Sequence, residues 1–152
     1  MDATRFFLRL LTLAVLVGCT AIHAEVKPET AIHYRQSVYR VILWNFLPMS
    51  DMVKGKTAFD AKEFAKHAER IALLAPQLLE GFTKGSDQGA QTDAKAEIWN
   101  NFDDFENKMN TFIESARNLN EVAKNADEAK IKSQFQKMAG ACKSCHDKYR
   151  AD

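Results

Sequence analysis

The chain has 152 residues, 46% hydrophobic and 27% charged, with 21 Lys plus Arg against 20 Asp plus Glu. Such a length and composition describe one ordinary globular domain. The near-neutral balance excludes a basic nucleic-acid footprint, and once residues 1–24 are set aside each sign counts 19, so charge points to no class of partner.

Residues 1–24 read as a signal peptide. Arg5 and Arg9 form a basic start, Leu10 to Gly18 is an apolar run too short to span a bilayer comfortably, and Ala24 is a small residue suited to cleavage. Leu16-Val17-Gly18-Cys19 also resembles a lipoprotein cleavage box, which would leave Cys19 lipidated and the domain anchored at a membrane surface. Cleavage after Ala24, the favoured reading, gives a soluble exported domain over residues 25–152.

Four segments have helical periodicity, and none shows the period-two alternation of a strand. The first starts at Pro28, a favourable first-turn residue, and runs through Ile32, Tyr39, Ile42 and Phe46. Pro48 should end or kink it near Leu47, because proline cannot donate to the carbonyl four residues back. In the second, Asp60 and Glu63 form a capping box, and Ala61, Phe64, Ala68, Ile71, Ala75 and Leu78 make one narrow face, with a bend expected at Pro76. Gly81, Gly85, Ser86, Asp87 and Gly89 mark the longest loop.

In the third, Ile98, Phe102, Phe105, Met109, Phe112, Ala116 and Leu119 follow a 4-3-4-3 rhythm. That is the seam of a bundle. The fourth is expected to be capped by Asn125 and Glu128 and repeats the rhythm through Ile131, Phe135, Met138, Cys142, Cys145 and Tyr149. Four such helices with mostly short connections predict an all-α antiparallel four-helix bundle.

Cys142-Lys143-Ser144-Cys145-His146 carries the chemistry. C-x-x-C-H is the attachment signature of c-type haem: two thiols add to the vinyl groups, and the imidazole binds the iron. At about 100° per residue all three side chains project from one side of a helix. A zinc site would need a fourth ligand, a thioredoxin-like C-x-x-C would sit near a βαβ pattern, and a plain disulfide is the third alternative. Because the two cysteines occupy seam positions, a haem attached there is inserted among the helices. Haem attachment to exported apoprotein fits a bacterial periplasm.

The chain from Val26 to Arg150 resembles the cytochrome c prime family, itself a standard example of the up-down bundle. The resemblance rests on Cys142 to Arg150, on Lys27-Pro28-Glu29, Tyr34-Arg35-Gln36-Ser37 and Trp44-Asn45-Phe46, and less specifically on Gly81-Phe82 and Glu97-Ile98-Trp99. It implies that Cys142 and Cys145 form the thioethers of one haem c and that His146 is the only protein ligand to iron. It further implies that Tyr39 blocks the distal face, Arg35 and Gln36 lie on the propionate side, Phe82 packs on the haem, and Arg150 lines the proximal side. Without the resemblance, Tyr39 is equally a core aromatic, and Arg35 and Arg150 are equally solvated charges. His33 and His67 read as surface residues.

The functional expectation is a five-coordinate haem protein that binds NO and CO and transfers single electrons to unidentified partners. Tyr39 offers neither a thioether nor an imidazole to iron. The alternative is a six-coordinate His/Met electron carrier drawing on Met49, Met52, Met109 or Met138. Enzymatic activity is not expected, since no distal acid–base group accompanies Tyr39. A homodimer through the first two helices is implied by the resemblance alone.

Overall fold

A computed structural model describes residues 26–125 and 127–151; the signal-peptide and Cys19 readings lie outside them. Six helices are present among these residues: α1 (Pro28–Val53), α2 (Ala61–Leu74), α3 (Gln77–Glu80), α4 (Glu97–Asn100), α5 (Phe102–Asn125) and α6 (Glu128–Tyr149). The four long ones form the expected bundle, with α5 against α6, α2 against α5 and α1 against α2. None is long and apolar enough to cross a membrane.

Several boundaries depart from the sequence expectation. Pro48 lies inside α1, which continues to Val53. The missing N–H forfeits one helical bond, but Met49, Ser50 and Met52 are buried on the continuing turn, and their burial outweighs that loss. Pro76 interrupts more than it bends: α2 stops at Leu74 and the single turn α3 begins beyond the proline. The third predicted helix breaks at Asn101, whose backbone leaves the helical region (φ −134°, ψ 48°), so Ile98 belongs to the short α4 although it is buried.

The caps divide in the same way. Asp60 caps α2 as expected, its carboxylate accepting from the Glu63 amide at 3.0 Å. Asn125 does not cap the last helix; it is consumed by the final turn of α5, and Asp127 caps α6 by accepting from the Lys130 amide at 2.8 Å.

The core runs along the predicted seams: Phe64, Ile71, Phe105, Met109, Leu119, Ile131 and Met138 are all buried. At one level Phe135 stacks on Phe46 with centroids 5.0 Å apart and meets Phe64 edge-on at 5.9 Å. Aromatic rings fill the bundle there. From Met138 toward Tyr149 the helices instead surround a cavity.

Candidate haem site

The cavity has a volume of about 740 Å³, within the range of small-molecule and cofactor clefts. The first helix, α1, contributes Arg35, Gln36, Tyr39, Ile42 and Phe46 to its walls, and α5 contributes Phe105, Met109 and Phe112. The last helix contributes Met138, Cys142, Cys145, His146 and Tyr149. The walls are therefore largely apolar, with the reactive side chains gathered on α6.

Both cysteines are free thiols, Cys142 half-buried and Cys145 buried. Burial, with some repulsion from Cys145, pushes the Cys142 thiol up to about 11, and burial likewise raises Cys145 despite the nearby Lys108. His146 is exposed, yet partial burial and then Arg150 hold its imidazole below the ordinary range, opposed by Asp147. The α6 wall thus offers two thiols and a neutral imidazole, the groups that a covalent haem uses for its thioether links and for iron ligation. Among the described residues no group of three His, Cys, Asp or Glu side chains is placed to hold a metal ion by itself. The donor set fits a covalent haem and gives no support to a zinc site.

Tyr39 is on the α1 wall, its hydroxyl 3.9 Å from the Met109 sulfur. Burial raises its pKa well above the ordinary phenol value, the two cysteines add to the rise, and Arg35 opposes it. The phenol is neutral at working pH even at its ordinary value, and burial moves it further from ionising whether or not the sulfurs are free.

Arg35 is placed differently from a surface charge. It is 2% exposed, and its guanidinium donates from Nη1 to the Gly81 carbonyl (3.0 Å) and Ser86 Oγ (2.9 Å), and from Nη2 to the Ser86 carbonyl (2.9 Å) and Thr92 Oγ1 (3.0 Å). The Phe82 and Trp99 rings lie 4.7 and 5.5 Å from its central carbon. All four acceptors are neutral oxygens, so the charge is held by dipoles and aromatic faces. Burial lowers its pKa, but a guanidinium stays protonated. Gln36 Nε2 donates to the Gln91 carbonyl at 2.8 Å. Phe82 is buried between this cage and Phe105, with ring centroids 4.6 Å apart. Arg150 is exposed and pairs with Asp93 at 3.3 Å. All eight residues singled out in the sequence border the one cavity.

Sequence reasoning missed three lining residues in the long loop, Thr92, Asp93 and Ala94. No periodic signal marks them. It also misplaced His67, which is buried on α2 with Nδ1 3.0 Å from Asn45 Oδ1. Here a signal existed: His67 lies three residues after Phe64 and four before Ile71, on the buried stripe. His33 is exposed as expected. Met49 and Met52 are core residues away from the cavity, whereas Met109 and Met138 border it.

A family profile described as Cytochrome C' matches residues 30–150. A cytochrome c′ of Halomonas halodenitrificans is 38% identical over 131 residues, covering 83% of this chain and 99% of the relative. The solved cytochrome c prime from Shewanella frigidimarina is similar with a TM-score of 0.80 and 42% identity, over 83% of this chain and 98% of that one. A nitric oxide complex of a mutant cytochrome c prime from Alcaligenes xylosoxidans is similar with a TM-score of 0.76 and 31% identity, over 84% and 98%.

Proposed function

The chain belongs to the cytochrome c′ family, whose members carry covalent haem c, and on that premise we propose that it is an exported, five-coordinate haem protein that binds NO and CO. Cys142 and Cys145 hold the group as thioethers, and His146 supplies the one protein ligand to iron. When bound, the haem supplies an iron that takes a diatomic gas and exchanges one electron.

The observation that carries this reading is Tyr39. A half-buried neutral phenol on the α1 wall borders the same cavity as Cys142, Cys145 and His146, and it has neither the charge to ligate ferric iron nor a thioether to offer. It excludes water and large anions while a small neutral gas can displace it. The apolar walls favour uncharged ligands. Arg35 and Gln36 line the cavity on the edge facing the long loop, where the Arg35 charge, its Nη donors already committed to that loop, would favour a propionate by its field alone, and Phe82 packs beside them. Arg150, one turn after His146, borders the same cavity, which supports a place for it beside the His146 face of a bound haem. His146 is the one histidine among the lining residues, so no second imidazole is on hand for acid–base turnover of peroxide. The relative solved with nitric oxide supports the choice of gas.

Val41, Leu43, Trp44 and Leu47 on α1 and Leu73 on α2 are exposed, Trp44 by 75%. An apolar face of this kind on the first two helices supports a homodimer joined through them. Export to the periplasm, with cleavage after Ala24, is read from the first residues, and mass spectrometry of the mature N-terminus tests it against lipidation at Cys19.

Optical spectra of the ferrous protein with and without NO and CO test the coordination. A high-spin spectrum that responds to both gases is expected. A low-spin spectrum indifferent to them, with a thioether-to-iron charge-transfer band in the ferric form, would instead assign a cavity methionine, Met109 or Met138, as second ligand.

A further inference from the structure

The stretch 91–95 crosses from one wall of the cavity to the other. On the α1 side Gln36 Nε2 donates to the Gln91 carbonyl at 2.8 Å and Arg35 Nη2 donates to Thr92 Oγ1 at 3.0 Å. On the α6 side Ala94 pairs with Arg150 in an antiparallel bridge, the Lys95 amide donates to the Tyr149 carbonyl at 3.0 Å, and the Ala151 amide donates to the Asp93 carbonyl at 2.8 Å. Thr92 Oγ1 also accepts from the Ala94 amide at 3.2 Å. A single hydroxyl oxygen therefore takes a bond from the α1 cation and one from the residue that pairs with the end of α6.

The anchor points matter because of where they lie. Arg35 is one helical turn before Tyr39, and Arg150 is one turn after His146, with the Arg150 amide donating to the His146 carbonyl at 3.0 Å. Deeper in the bundle α1 and α6 meet directly through Phe46 and Phe135. Both helices also line the cavity, and stretch 91–95 ties the two together.

We propose that Thr92 is a positioning residue for gas binding: its hydroxyl closes a strap that sets the separation of the Tyr39 and His146 walls and so limits how readily Tyr39 yields to an incoming diatomic. This rests on the haem and gas-binding reading above. Arg35 serves as the fixed end of the strap, since its donors are committed to neutral loop acceptors and its charge is clamped by Phe82 and Trp99. Thr92→Val keeps the volume and removes the acceptor, leaving the Ala94 amide unpaired, whereas Thr92→Ser restores it.

The holoprotein is tested by two readouts. In Thr92→Val the backbone amides of Ala94, Lys95 and Ala151 exchange about tenfold faster, the loss expected for one hydrogen bond. CO association with the ferrous protein accelerates severalfold, and Thr92→Ser matches the wild type in both. Faster exchange with unchanged CO kinetics, or wild-type values in both, would overturn the proposal. Should Thr92→Val not yield holoprotein, Ala151→Pro severs the other anchor, because Arg150 already has extended backbone (φ −112°, ψ 135°) that tolerates a following proline. The same acceleration is then expected, and its absence counts against the strap. If the wild-type protein fails to bind CO at all, the gas-binding reading falls by that result, and with it the positioning role, while amide exchange still reports whether the strap exists.

Discussion

Gly81 offers the sharpest test of the packing that supports the site. A Cβ built there would lie 2.5 Å from Arg35 Cβ and 3.2 Å from both Arg35 Cα and the Ala31 carbonyl oxygen. Its backbone angles (φ −82°, ψ 2°) are open to any residue, so conformational strain plays no part and sterics alone decide. The obstructing atom is the root of a side chain whose far end is pinned by four hydrogen bonds, so it cannot swing away. Gly81→Ala must push the end of α3 off α1, and overpacking of this kind costs about 1–3 kcal/mol. For a domain of this size roughly 3–6 °C of Tm follows each kcal/mol, giving a fall of about 3–18 °C. Gly140 is the control: it is exposed in the middle of α6, an added Cβ meets nothing within 4 Å, and Gly140→Ala should stabilise by about 0.5–1 kcal/mol. Thermal and denaturant unfolding of both holoproteins, followed by far-ultraviolet circular dichroism, gives the comparison. If Gly81→Ala melts at or above the wild-type temperature, or if the two substitutions move in the same direction, the steric reasoning is wrong.

Three further outcomes are expected. Burial holds the His67 imidazole below its ordinary range against the pull of Glu63, so between that lowered pKa and the unfolded value of about 6.5 the native state binds fewer protons than the unfolded chain. This contribution is fully present above about pH 6.5 and is lost as pH falls toward the native pKa. Stability of the wild type relative to His67→Asn should therefore decline from pH 7 to 5 in urea titrations, and parallel curves would contradict it. Asp127→Ala removes the cap on α6 and should cost about 1 kcal/mol, whereas Asn125→Ala, at the exposed end of α5, should change unfolding by less than about 0.5 kcal/mol. Trp44→Glu places a charge in the middle of the exposed α1 stripe; if the proposed homodimer forms through this face, light scattering should show wild type as dimer and the variant as monomer with the absorption spectrum unchanged, whereas a monomeric wild type or a dimeric variant would contradict it.

The bundle and the attachment motif were legible because both are local patterns. Repeats of three and four residues declare which face of Phe102–Asn125 or Glu128–Tyr149 is buried, and C-x-x-C-H places three reactive groups on one side of a helix without reference to anything else. Even His67 was readable in principle from its place between Phe64 and Ile71. The continuation of α1 through Pro48 was not, because it depends on the burial of Met49 and Met52 against other helices, which no propensity encodes.

The same division runs through the site. By itself the sequence determined the C-x-x-C-H motif of Cys142, Cys145 and His146 and the helix that carries it, while the family resemblance alone pointed to Tyr39 as its counterpart on the first helix. Only the tertiary structure decided that Arg35 is buried among neutral loop oxygens 46 to 57 residues away, and that Thr92 bridges from it toward the end of α6. A helix declares its buried face through its own repeat. A loop has no repeat, and Thr92 acquires a role only when packing brings Arg35 and Arg150 to opposite ends of the same short stretch of backbone.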